Sequence, residues 1–174
     1  MVLIAVWALA AGLLASFAHH VGSAPILGAL LWASCFLRRR DVLLIGLGAV
    51  LIHDAVLGLS AFTLVRLVAT AGVVGILRLV RVRPTPLRLL AGLGFSAPVY
   101  HVLLAAGDWA TQFCSKAPYT PSGFWSTMAG ALPYAQRAFL GDVAFTACFF
   151  GLYMLAGYLV TLRWPSALPR AAST

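Results

Sequence analysis

The stretch LLIGLGAVLIHDAVLGLSAFTLVRLVATAGVVGIL, residues 43–77, decides the fold class. Its two apolar runs belong to helices that we predict over 41–58 and 62–80, close to the roughly 20 apolar residues that cross a bilayer. Asp54 and Arg66 lie on opposite sides of the intervening turn, so a helical hairpin brings both to the same depth. A charged side chain in a bilayer costs about 2.5–3.5 kcal/mol on insertion scales and is usually paired. The stretch therefore predicts a membrane hairpin with an Asp54–Arg66 pair.

The composition of the whole chain is that of a membrane protein. Of its 174 residues, 62% are hydrophobic and 9% are charged, whereas soluble domains carry about 25% charged residues. We predict one all-α domain over 1–174, with a long outer loop at about 107–133. The first helix is expected to be retained, because it lacks the basic start of a signal peptide. The predicted helices span 1–18, 24–37, 41–58, 62–80, 87–106 and 134–162.

Basic residues fall into three groups: between helices two and three, around the turn between four and five, and after helix six. They are Arg38, Arg39, Arg40, Arg78, Arg81, Arg83, Arg88, Arg163 and Arg170. With six spans, all three groups lie on one side, and the positive-inside rule makes both termini cytoplasmic. We therefore expect a multi-pass protein of the cell inner (cytoplasmic) membrane. The net charge of +8 fits contact with lipids better than with nucleic acid.

The same orientation collects the polar residues of the bundle into one outer layer. Polar groups in lipid tend to face the bundle interior or a wet cavity, so the layer predicts an outward-facing pocket. Asp54 and Arg66, extended to a triad by Asp142, are open to three interpretations: a structural clip, the wall of a ligand site, or a proton relay. The aromatic outer loop is either a lid over a ligand or an interfacial belt. The candidate ligand-binding residues are Asp54, Arg66, His101, Trp109, Trp125 and Asp142.

Catalytic and metal motifs are absent from the sequence. There is no HExxH helix, Walker loop or GxSxG elbow, and no nucleophile and base have convincing spacing. We therefore expect no enzyme, no catalytic residue and no cofactor. His19 and His20 are candidate metal ligands together with His53 or His101, although no firm ligand spacing supports a metal site.

Small residues form a stripe along the first helix. Ala8, Ala11, Gly12 and Ala15 recur at helical spacing, and small residues let another helix approach closely. The stripe either docks a separate subunit or packs within the same bundle.

Three stretches resemble the substrate-binding (S) components of energy-coupling factor transporters, and more specifically a family of small S-component-like bacterial membrane proteins. They are APILGALLWASCFL (24–37), LLIGLGAVLIHDAVLG (43–58) and YTPSGFWSTMAGALPYAQRAFLGDVAFTACFFGLY (119–153). The resemblance makes Asp54, Gly58, Gly141 and Asp142 characteristic positions.

The resemblance also implies a function. The subunit would capture a vitamin-like or metal ligand outside the cell. It would then work with a membrane coupling subunit, met by the helix-one stripe, and with separate cytosolic ATPases that use ATP. The family pattern includes an Arg in helix one and an Asn before a Thr-Pro segment, and LASFAHHVGSAP (14–25) has neither. This departure favours the alternative, a non-catalytic accessory or scaffold subunit of a larger membrane complex, respiratory or photosynthetic.

Overall fold

A computed structural model describes residues 2–18, 26–80 and 85–163, and every regular element in these ranges is an α-helix. Three of the helices, α4, α5 and α6, are long and apolar enough to cross a membrane. The predicted all-α class is therefore confirmed for the described residues. The helices are α1 (Val2–Ala18), α2 (Ile26–Phe36), α3 (Arg39–Leu57), α4 (Ala61–Val80), α5 (Pro86–Thr111) and α6 (Pro121–Arg163).

The predicted hairpin is formed by α3 and α4, with a tight turn between them. Gly58 ends α3 with a φ of 116°, a backbone conformation that is strained for residues with a Cβ. Its N–H donates to the carbonyl of Asp54 at 2.7 Å. The hydroxyl of Thr63 then accepts a hydrogen bond from the N–H of Ser60 at 3.2 Å, which satisfies the start of α4.

The short second helix lies at the centre of the bundle. It contacts each of the other five helices, and seven of its residues are buried. Eleven residues make a helix of roughly 16 Å, about half the thickness of a hydrocarbon core. The expectation that helix two is short is therefore confirmed, and α2 serves as the internal packing element for the longer helices.

Two predicted boundaries are wrong, and with them the long outer loop. Helix α5 continues to Thr111 and α6 begins at Pro121, so the connection comprises residues 112–120 rather than 107–133. Helix α5 stops where Gln112 adopts a left-handed conformation. At the other end, Thr120 caps α6, because its Oγ1 accepts the N–H of Gly123 at 3.1 Å.

The predicted start of helix six at 134 rested on Pro133, which lies inside α6 instead. At 43 residues, α6 is roughly 64 Å long, about twice the hydrocarbon thickness of a bilayer. Its last described turns, residues 151–159, are exposed at every position.

Candidate functional site

An ion pair is buried at the end of the α3–α4 hairpin. Asp54 Oδ1 accepts a hydrogen bond from Nη1 of Arg66 and lies 2.8 Å from Nδ1 of His53. Asp54 and His53 are each 3% exposed, whereas the Arg66 side chain is 25% exposed. The guanidinium also lies 5.3 Å from the ring centre of Phe62, where cation–π attraction favours it. The predicted Asp54–Arg66 pair is confirmed, and we call His53, Asp54 and Arg66 the hairpin cluster.

The hairpin cluster satisfies its charges internally. Nδ1 of His53 lies near both Asp54 Oδ1 and, at 3.2 Å, Nη1 of Arg66. His53 and Asp54 are adjacent in the sequence, and the imidazole turns toward the carboxylate of its neighbour. A carboxylate with this many partners is typical of a structural clip between helices.

A second polar pair, which we call the groove dyad, joins α5 to α6. Nε2 of His101 lies 4.0 Å from Oδ2 of Asp142, and Asp142 is 2% exposed. Within the described part of the chain, neither Nε2 of His101 nor Oδ1 of Asp142 has a hydrogen-bond partner. The hydroxyl of Thr146, one turn further along α6, is also buried without a partner there. The groove dyad thus holds polar atoms that the described chain does not satisfy.

The hairpin cluster and the groove dyad lie near each other but share no ion pair among the described residues. Tyr100 is 7% exposed, and its hydroxyl is within electrostatic range of Arg66, Asp54 and Asp142. Among the described residues, however, Asp142 forms no ion pair with Arg66. The suggested extension of the Asp54–Arg66 pair into a triad is therefore wrong, because Asp142 faces His101 instead.

A groove of about 600 Å³ lies between α5 and the first half of α6. Small-molecule sites are usually about 300–1,000 Å³ and mostly apolar, with a few polar groups. His101, Gln136 and the indole of Trp125 supply hydrogen-bonding groups, and the rest of the lining is apolar. The complete lining is Ala97, Pro98, His101, Val102, Ala105, Phe124, Trp125, Met128, Ala131, Leu132, Ala135, Gln136 and Phe139.

Two prolines lie inside the helices that form this groove. They are Pro98 in α5, which also lines the groove, and Pro133 in α6. A proline in a helix interior removes one backbone hydrogen bond. Sequence analysis missed the groove because it started helix six at 134, just after Pro133. The signal that would have revealed it is the pair of prolines inside two consecutive apolar helices.

The short connection between α5 and α6 is tied down by its own hydrogen bonds. Asp108 accepts the N–H groups of Cys114 at 2.6 Å and Ser115 at 3.0 Å. The indole N–H of Trp109 donates to the carbonyl of Pro118 at 3.1 Å. This segment therefore fixes the end of one helix to the start of the next.

The two tryptophans predicted to form a lid have different environments. The Trp109 ring, in the last turn of α5, packs edge-on against Tyr119 and Phe124, both at 5.5 Å between ring centres, so it holds the connection against α5. Trp125 is 68% exposed and lines the groove. Of the six predicted ligand-binding residues, His101 and Trp125 line the groove, and Asp142 lies behind it, 4.0 Å from His101. Asp54 pairs with Arg66 separately, and Trp109 packs on the connection.

The small-residue stripe of α1 lies inside the bundle. Ala8, Ala11 and Ala15 are 6%, 3% and 0% exposed, respectively, and α1 packs mainly on α3. A Cβ added to Gly12 would lie 2.7 Å from Cβ of Ile52. The prediction that this stripe docks a separate subunit is corrected accordingly: α3 already covers it, and packing within the bundle is its role here.

Metal-binding geometry is absent from the described residues. No group of three or more His, Cys, Asp or Glu within them is placed to hold an ion. His19 and His20 lie outside the described residues, as do Arg81, Arg83 and Arg170 of the predicted basic groups.

Comparisons with known proteins place the chain in a family. No curated protein and no solved structure matches it. One family model does match, covering residues 1–166, and its description is family of unknown function (DUF6580). Because the match extends over almost the whole sequence, the chain belongs to the DUF6580 family.

Proposed function

We propose that the protein is a non-catalytic membrane subunit that captures a small, largely apolar ligand in the α5–α6 groove. The observation that carries this proposal is the groove itself, about 600 Å³ in volume and apolar over most of its lining. Its size suits a vitamin-sized molecule.

The groove dyad narrows the class of ligand. Buried polar atoms without partners are costly; His101 lines the groove, and Asp142 lies behind it at 4.0 Å. A ligand with an apolar body and a hydrogen-bonding group would meet the imidazole of His101 while its body fills the groove. Trp125 would cover that body, since the ring is exposed on the groove surface.

The proposed placement is a multi-pass protein of the inner (cytoplasmic) membrane, with six membrane-embedded helices and both termini cytoplasmic. Arg39 and Arg40 at the start of α3 and Arg78 at the end of α4 share one end of the bundle. The hairpin cluster lies at the opposite end. Under the positive-inside rule, the arginine end is cytoplasmic and the hairpin cluster is outside, as in a subunit that captures its ligand from outside.

Such a subunit would resemble the S component of an energy-coupling factor transporter. It would need a coupling subunit and separate ATPases, and it would use ATP only through them. The α1 stripe is covered by α3, so a coupling subunit would have to dock elsewhere.

A second candidate function is supported by the end of α6. The large apolar side chains of residues 151–159 are 44–69% exposed. A helix that is apolar on all sides is normally surrounded by protein or lipid. This segment favours an accessory or scaffold subunit that packs against a larger membrane complex.

Ligand binding in the groove is tested with a substitution that fills it. Native mass spectrometry of the protein released gently from its own membranes should detect a bound small molecule. Ala131→Trp, which fills the groove, should remove at least nine-tenths of that adduct. Ala129→Trp is the matched control, since Ala129 is exposed on the same helix and does not line the groove. Equal retention of the adduct by both variants, or no adduct on the wild-type protein, would contradict ligand capture in this groove.

The proteins that bind this chain in its own membrane distinguish the two candidate functions. The tagged protein is captured in mild detergent and its partners are identified by mass spectrometry. A coupling subunit with a pair of ATPases would support the S-component-like function. A stoichiometric large complex without ATPases would support the accessory subunit instead.

A further inference from the structure

A second cavity lies at the arginine end of the bundle, where α2 ends, α3 begins and α4 ends. Its volume is about 230 Å³. Val42, Val74 and Leu77 form its apolar wall and are 2–5% exposed. Arg39, Arg78 and Ser34 add two guanidinium groups and a hydroxyl. The cavity thus combines an apolar wall with cationic groups from two helices.

The two arginines that line this cavity have no acidic partner among the described residues. Both are exposed, and Arg38 and Arg40 adjoin Arg39 in the sequence. Asp41 is the acidic residue of this turn, and it forms no ion pair with them. An ordinary basic surface would lie over packed helix ends. Here the charges surround a recess that can admit an anionic group.

The backbone at the start of α3 adds to the same site. Arg38 is its N-cap and makes no side-chain capping hydrogen bond. The N–H of Asp41 already donates to the carbonyl of Arg38 at 2.9 Å. The N–H groups of Arg39 and Arg40, at the first two helical positions, have no partner further back in the helix and carry partial positive charge. An anion at this position would meet these donors as well as guanidinium groups.

We propose that this cavity binds the phosphate of an anionic phospholipid headgroup. Basic pockets between helices on the cytoplasmic side of a membrane are suited to such headgroups. The surrounding surface favours a lipid over a free anion, because exposed leucines accompany the arginines on both helices: Leu79, 82% exposed, follows Arg78 in α4, and Leu44, 38% exposed, follows Arg40 by about one turn of α3. The cavity lies at the opposite end of the bundle from the hairpin cluster and does not depend on the α5–α6 groove.

The test measures lipid binding by native mass spectrometry of the full chain in detergent. Phosphatidylglycerol and phosphatidylcholine with identical acyl chains are titrated separately, and phosphatidylglycerol should bind at least ten times more tightly. The double variant Arg39→Gln with Arg78→Gln should weaken phosphatidylglycerol binding roughly 30-fold, since each arginine near a membrane surface contributes about a five-fold factor. Arg137→Gln is the matched control, because Arg137 is exposed on α6 and does not line the cavity. Its binding should match the wild type.

Three results would overturn the proposal. Equal affinity of the wild-type protein for the two lipids would remove the headgroup preference, and this comparison needs no variant. An equal loss in Arg137→Gln and in the double variant would show that general charge, not this cavity, binds the lipid. Displacement of phosphatidylglycerol by millimolar inorganic phosphate would make a free anion the occupant. Ala131→Trp should leave phosphatidylglycerol binding unchanged, so failure of the groove and failure of this cavity are distinguishable.

Discussion

The hairpin cluster and the groove dyad contain similar side chains but have opposite environments. In the hairpin cluster, the Asp54 carboxylate is met by an arginine and an imidazole. In the groove dyad, the equally buried Asp142 has one imidazole at 4.0 Å and an oxygen without a partner among the described residues. Buried charge that is fully paired holds helices together, whereas buried polar groups left unpaired need a partner from outside.

The surroundings of the two clusters differ in the same way. Around the hairpin cluster, α1, α3 and α4 pack closely, and Gly12 and Gly48 leave less space than a methyl group needs. Beside the groove dyad, α5 and α6 diverge around a groove. The comparison therefore separates a closed half of the molecule, which stability requires, from an open half that is available for binding.

The largest effect should come from breaking the pair in the closed half. Asp54→Asn leaves Arg66 without its counter-charge, and removing one partner of a buried pair costs about 3–5 kcal/mol. We expect the lower end of this range, because the Arg66 side chain is 25% exposed and water can reach it. The free energy of unfolding in detergent, measured by titration with a denaturing detergent, gives the value.

The double variant Asp54→Asn with Arg66→Gln provides the control for this prediction. It removes both charges, so it should recover part of the stability lost in Asp54→Asn. Losses that simply add would show that the two side chains do not depend on each other.

A smaller effect is expected from adding one methyl group between α1 and α3. In Gly12→Ala the new Cβ would lie 2.7 Å from Cβ of Ile52 and 2.8 Å from the carbonyl oxygen of Ala49. Overpacking of this kind typically costs about 1–3 kcal/mol. The matched control is Gly75→Ala in α4, where a Cβ meets nothing within 4 Å, and where the gain in helix propensity should slightly stabilise the protein. Similar unfolding curves for the two variants would argue against close α1–α3 packing.

Sequence reasoning predicted the hairpin because two independent signals agree there. Apolar runs of suitable length surround the turn, and one acid and one base lie at matching depths. The short α2 was also predicted, since the apolar run at 24–37 ends at the arginines 38–40. The predicted start of helix six failed because it was placed directly after a single proline, Pro133. Helix α6 begins at Pro121 instead, with Thr120 as its cap, and continues through Pro133.

The candidate site was predicted only in part, because partner choice depends on tertiary geometry. Sequence placed His101 and Asp142 in the polar layer but gave no reason to pair them. It also treated Trp109 and Trp125 alike, whereas Trp109 bonds the connection from the end of α5 and Trp125 lines the groove. The α1 stripe has the same limitation, since small residues permit close packing without showing whether the neighbouring helix belongs to the same chain.

The smallest change in stability should come from Asp142→Asn, although Asp142 is as buried as Asp54. Its Oδ1 has no hydrogen-bond partner among the described residues, so the substitution removes no hydrogen bond there and leaves no unpaired cation. We expect a change within about 1 kcal/mol, neutral or stabilising, together with loss of the small-molecule adduct in native mass spectrometry. A loss of stability equal to that of Asp54→Asn would show that Asp142 is also a structural clip. The contrast between these two substitutions therefore measures directly how far the open half of the molecule differs from the closed half.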